Sequence, residues 1–466
     1  MPINDLFNKK LKVINTGLKS FKENLDETET EAIQVDWKPP VADPDLFGII
    51  ENHQPKIDEA NQKALKIILN GKPILIGLGK AINVIPGMKK NLILHAGPPI
   101  GWDKMCGPTR GAIIGALIYE GMADNPEQAE ELAASGKIEY GPCHEHSTVG
   151  PMAGIVSASM PVFILKNEEY NNFAYCTMNE GLGKVLRYGA FNEEVIKKLN
   201  WMDTVLYPAL KKAVEKLGKI DLKNIIAQAL HMGDEVHNRN RAGTSLFYRI
   251  IAPAVIQTAP DSQTAADVLN FINGNDHFFL NLSMPAAKVT LDAARNIKSS
   301  SICVALSRNG TDFGIQLSGT GNEWFVGKAP LPDALFFPGY TKEDANPDIG
   351  DSSITETVGL GGFAIAASPA IVQFVGGTAK DAMNYTLAMY EITVGENNIY
   401  QIPYLNFRGT PTGIDVIKVV EKNLTPFIDT GVAHKNPGVG QVGAGVLSAP
   451  IEPFKKAIEG FVKKLA

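Results

Sequence analysis

Cysteine is scarce: the chain has four in 466 residues, Cys106, Cys143, Cys176 and Cys303, at spacings of 37, 33 and 127. That spacing is neither a disulfide framework nor a CxxC zinc site, so reduced thiols in a cytoplasmic protein are expected. Basic residues are outnumbered: 44 Lys and Arg stand against 50 Asp and Glu, a net charge of −6. Nucleic-acid binding needs a basic face to neutralise phosphates, so no nucleic-acid partner is expected. Long apolar runs are missing as well. The best candidate, GLGGFAIAASPAIVQFVGG from Gly359 to Gly377, contains Pro369 and Gln373 and reads as a buried small-residue helical region rather than a membrane span. The opening MPINDLFNKK has no apolar segment of the secretory type. Neither GxxxxGK[ST] nor GxGxxG occurs, which leaves no nucleotide P-loop or dinucleotide fingerprint. No cofactor is expected.

What is present is a soluble globular composition, 44% hydrophobic and 20% charged. Residues 1–50, with the acidic run DETETE from Asp26, read as an N-terminal arm. From 51 to 190 helical and strand-like segments alternate: a helix over Lys56–Asn70, strands in KPILIGLG and NLIL, a helix from Thr109, and another begun by Asn125-Pro126. This pattern predicts an α/β domain with a parallel or mixed sheet. Over 191–275, stretches such as VLYPALKKAVEKLG repeat apolar residues at helical spacing with no strand candidate, predicting an all-helical subdomain. Residues 276–466 read as an α+β domain with a hairpin at Asn309-Gly310 and a final helix over Pro453–Leu465. The expected fold class is thus mixed α/β, in several interleaved subdomains with sheets flanked by helices.

Three stretches carry candidate chemistry. HAGPPIGWDKMCGPTRGA, from His95, joins a strand to a helix through glycines and prolines. Helix-terminal amides there, with His95, Cys106, Thr109 and Arg110, are suited to a small anion; the bland alternative is a tight turn with an ordinary surface arginine. EYGPCHEHSTVG places Cys143, His144, Glu145 and His146 in a row. In extended backbone His144 and His146 share one face, able to move protons, to hydrogen-bond structurally, or, with a third ligand, to hold a metal. HMGDEVHNRNRAGTS brings Arg239 and Arg241 near Asp234, Glu235 and His237, as a second anion site or an ion-paired helix face. FRGTPTGID repeats the first device with Arg408 and Thr410 ahead of a helix.

The blocks HAGPPIGWDKMCGPTRGA, HSTVGPMAGIVSASMPVF, GLGGFAIAASPAI and FRGTPTGIDV together resemble the bacterial YlbE/YahG-like family, from about residue 35 to the end. The resemblance implies a partner similar to FdrA-like proteins, which are themselves similar to the acyl-CoA synthetase α chain. It further implies a place in the oxamate carbamoyltransferase of anaerobic allantoin degradation, which interconverts oxalurate and phosphate with oxamate and carbamoyl phosphate. The alternative is a non-catalytic scaffold for that partner; a metal-dependent hydrolase using His144 and His146 is a third possibility. No catalytic residues follow from the resemblance, and the S-T-R-T stretch of aspartate and ornithine carbamoyltransferases is missing. The residues themselves assign Cys143, His144 and His146 to catalysis. They assign His95, Cys106, Thr109, Arg110, Arg239, Arg241, Arg408 and Thr410 to binding of phosphate, carbamoyl phosphate or oxamate-like carboxylates. A homo-oligomer fits this reading. Loops 97–111 and 141–151 are expected to face one cleft.

Overall fold

The structure is a computed structural model, and it describes residues 10–35, 43–371 and 376–465. The chain divides into two units, Met1–Pro44 and Asp45–Ala466. In the first, strand Lys12–Asn15, helix Lys19–Glu27 and strand Glu31–Gln34 form a β-α-β piece whose strands pair in parallel. This is the segment read as an arm.

In the second unit, helix Pro44–Asn70 buries Ile57, Ala60, Asn61, Ala64, Leu65 and Ile68, the i, i+3, i+4 stripe of an amphipathic helix. It runs through Pro55 rather than starting after it. Pro55 lies on the exposed side, where water can satisfy the carbonyl that loses its partner. Strand Pro73–Lys80 sits in a four-stranded sheet with Phe173–Thr177, Pro161–Asn167 and Ile220–Asp221, every pairing antiparallel. The parallel element expected from the alternation is confined to Leu92–His95 beside Glu139–Pro142, with His95 opposite Pro142.

The window from 191 to 275 is helical, with side-chain caps at Asn192, Asp221 and Asp261. It is not free of strand: Ile220–Asp221 pairs with Ile74–Leu75, a two-residue strand too short to leave a periodic signal. Cys303–Asn309 and Asp312–Leu317 form the expected hairpin, with Gly310 at φ 83° and Asn309 Oδ1 accepting from Thr311 and Asp312. Up to Ile371 the Gly359–Gly377 stretch is a largely buried helical region made of three-residue 3₁₀ turns, and its residues 372–375 lie outside the described residues. Among the described residues no helix is long and apolar enough to cross a membrane.

Candidate functional site

The two predicted loops leave neighbouring parallel strands and are tied together by one carboxylate from far along the chain. Asp351 accepts from the backbone N–H of Gly97 and of Gly150, each at 3.0 Å, and from the Ser307 hydroxyl. His144 Nε2 lies 3.5 Å from it. All of this is buried. Burial raises the Asp351 carboxyl to about 6 and holds His144 well below the ordinary imidazole range, with Lys288 and Arg295 adding to the latter effect. Lys288 Nζ, also buried, donates to the His144 carbonyl and to Asp292.

Residues Cys143–His146 form a 3₁₀ turn, so the alternation of an extended strand does not apply, and the two imidazoles part. His144 turns inward, whereas His146 Nδ1 bonds the Pro86 carbonyl at 2.7 Å. Cys143 is buried and its Sγ donates to the Gly154 carbonyl. His95 is buried, bonded through Nδ1 to the Ala96 carbonyl, and burial lowers it to about 4. Among the described residues no three His, Cys, Asp or Glu side chains cluster as metal ligands.

The N-terminus of helix Gly107–Tyr119 is met by protein backbone. A Cβ on Gly107 would strike the Lys435 carbonyl, and one on Gly111 the Gly189 carbonyl. Cys106 and Thr109 turn toward the Asn309 carbonyl. Arg110 donates to the Trp102 and Asp103 carbonyls of its own loop, with its guanidinium 5.2 Å from the Trp102 ring centroid. Arg408 lies on strand Arg408–Ile414, not at a helix start. It stacks 3.5 Å over Tyr390 and bonds Glu396 through both Nε and Nη2. Thr410 is buried.

Arg239 and Arg241 are placed differently. They line an open pocket of about 240 Å³ with Asn238, Asn240, Asp276 and His277. Asn240 precedes the 18-residue helix Arg241–Thr258. Arg239 Nε lies 3.4 Å from Asp234, and Arg241 Nε 3.8 Å from Asp276. Asp234 also accepts from the Gly243 N–H, so the helix terminus already holds a carboxyl. Behind this wall lies a buried acidic layer. Glu235 accepts from the backbone of His237 and Arg239; Glu356 accepts from Gly362, Asp429 and His237 Nδ1; Asp429 takes the Asn238 side chain. Burial raises Asp234 to about 7 and pushes Glu235 and Asp429 up. On Glu356 the burial penalty is outweighed by His237 and the two N–H donors, and its carboxyl sits below the ordinary range.

Two relatives from Escherichia coli K12 align over most of the chain. The "Uncharacterized protein YahG" is 46% identical over 98% of both chains. The "Oxamate carbamoyltransferase subunit AllG" is 42% identical over 88% of this chain and 98% of its own. The chain belongs to the AllG/YahG family. The family model for oxamate carbamoyltransferase subunit AllG matches residues 138–352, which include the CHEH turn, both pocket arginines and Asp351. A crystal structure of a conserved protein of unknown function from Enterococcus faecalis V583 is 48% identical, with a TM-score of 0.87 over 88% of this chain and 99% of that one. His277 in the pocket wall, Glu356 and Asp429 behind it, and Asp351 between the two loops were not singled out in the sequence. Each comes from a stretch with no motif of its own, and only HNRNRAG carried a local signal.

Proposed function

We propose that this chain is a subunit of a carbamoyltransferase-type enzyme that interconverts oxalurate and phosphate with oxamate and carbamoyl phosphate, working with an FdrA-like partner. The observation that carries the assignment to a site is the pocket of Arg239 and Arg241. Of the four arginines singled out in the sequence, these two line a pocket and lie 3.4 and 3.8 Å from their carboxylate neighbours, whereas Arg110 hydrogen-bonds carbonyls of its own loop and Arg408 hydrogen-bonds Glu396. The substrates are small anions, and a pocket of about 240 Å³ is below the range that drug-sized ligands occupy. In the phosphorolytic direction a phosphate oxygen attacks the ureido carbon, the C–N bond breaks, and the oxamate nitrogen takes a proton. Guanidiniums that hold the phosphate or carboxylate fix the attack geometry and stabilise charge developing on the carbonyl oxygen. Kinship to a named subunit of that enzyme supports the reaction class.

The test is oxalurate phosphorolysis by the chain assembled with its partner subunits. Carbamoyl phosphate and oxamate are expected as products, and the Arg239→Ala, Arg241→Ala double variant is expected to lose at least about a hundredfold in rate, roughly 2.7 kcal/mol of transition-state stabilisation. Full activity in an assembled complex carrying that variant would make the chain a scaffold instead.

A further inference from the structure

The pocket carries more than positive charge. His277 lines it at 7% exposure, and its buried Nδ1 has no hydrogen-bond partner among the described residues. Its main-chain N–H, by contrast, is held by Asn275 Oδ1. Asn240 lines the same pocket, fully buried. Its Nδ2 is spent on the His237 carbonyl, while Oδ1 has no partner. Buried polar atoms are normally satisfied. Two unsatisfied side chains on one pocket wall, beside two arginines, describe the complement of what belongs there.

Burial, with Arg187 and His237 nearby, pushes His277 down to about 3, so its imidazole is neutral at physiological pH. A neutral imidazole presents one donor and one acceptor, and the Asn240 Oδ1 is an acceptor only. A ligand with anionic oxygens alone would satisfy the arginines but leave Oδ1 facing another lone pair. A ligand with N–H groups at its other end would satisfy both.

We propose that His277 and Asn240 are specificity-determining residues which select a small acid whose far end is an amide over the acid whose far end is a second carboxylate. This rests on the pocket being the substrate site. Arg239 and Arg241 hold the acid end, the Asn240 Oδ1 accepts an amide N–H, and His277 accepts the other or donates to the amide oxygen. Charge alone predicts the opposite preference, because a dianion is drawn more strongly to two guanidiniums than a monoanion is.

The test is calorimetric titration of the full chain with oxamate and with oxalate, alike in size and differing in NH₂ against O⁻. Oxamate is expected to bind at least about tenfold more tightly, the worth of one hydrogen bond and one avoided lone-pair clash. In His277→Phe and Asn240→Ala, each confirmed folded by its melting transition, the ratio should fall to about twofold or invert. His277→Gln, which keeps a donor and an acceptor, should recover part of it. Equal binding by the wild type, or a ratio unchanged in both folded variants, overturns the proposal. If neither anion binds, or if both bind unaltered in the Arg239→Ala, Arg241→Ala variant, the pocket itself is not the site, a different failure.

Discussion

Burial raises Asp234 to about 7 and Asp351 to about 6, while His95 is lowered to about 4 and His277 to about 3. These shifts act on stability in opposite directions. A carboxyl whose folded value is raised contributes stability that is present below its ordinary value, 3.8 for Asp, and is lost as pH rises through about 7 for Asp234. An imidazole whose folded value is lowered contributes stability that is present above its ordinary 6.5 and is lost as pH falls below it. Between those ordinary values the two sets oppose each other; just above 6.5 the acids dominate, until the buried Lys288, lowered to about 8, begins to act in the opposite direction. The melting temperature is therefore expected to decline from pH 6.5 to about 7.5, less steeply in Asp234→Asn, where the amide oxygen still accepts from Gly243. A flat profile over that interval in the wild type, or the same slope in the variant, would contradict this. The charged cluster around Asp234 was visible in the sequence, but not that it is buried, since what covers it arrives from the segments around 277, 356 and 429.

Among the elements, the Gly/Pro-rich loop that opens helix Gly107–Tyr119 shows where reading composition ends. Its glycines announce that something approaches the backbone closely. What approaches is the chain's own carbonyls at Lys435 and Gly189, not a feature of the loop itself. Gly107→Ala and Gly111→Ala are accordingly expected to cost roughly 2–4 kcal/mol in chemical denaturation, because rigid backbone must move aside. Gly48→Ala, on the exposed side of helix Pro44–Asn70 with open space where the methyl would go, should be neutral or stabilising by up to about 1 kcal/mol. Loss of stability at Gly48 comparable to that at Gly107 would refute the packing explanation. Helices with a clean apolar stripe, the Asn125 cap and the Asn309-Gly310 turn were legible because each rests on residues a few positions apart. The two-residue strand at Ile220 and the antiparallel direction of the four-stranded sheet were not, because both depend on which distant strand is the neighbour.

For the molecule as a whole, the Asp45–Ala466 unit is joined by long-range polar ties as well as by its core. Arg308 is fully buried. It pairs with Asp348 through Nε and Nη2, donates from Nη1 to the Gly350 carbonyl, and from Nη2 to Thr430. This holds the 303–317 hairpin to the segment that delivers Asp351. Asp348→Ala leaves a guanidinium buried without its carboxylate and is expected to lower stability by about 3–5 kcal/mol; a loss under about 1 kcal/mol would show that the segment is held by other contacts. Whether substrate anions are held by Arg239 and Arg241 is tested by direct titration with phosphate and oxamate. The Arg239→Ala, Arg241→Ala variant should bind both anions at least about tenfold more weakly than the wild type, a difference of about 1.4 kcal/mol. The Arg110→Ala, Arg408→Ala variant should bind both as the wild type does. The reverse outcome, with binding lost at Arg110 and Arg408 and kept at Arg239 and Arg241, would contradict the claim.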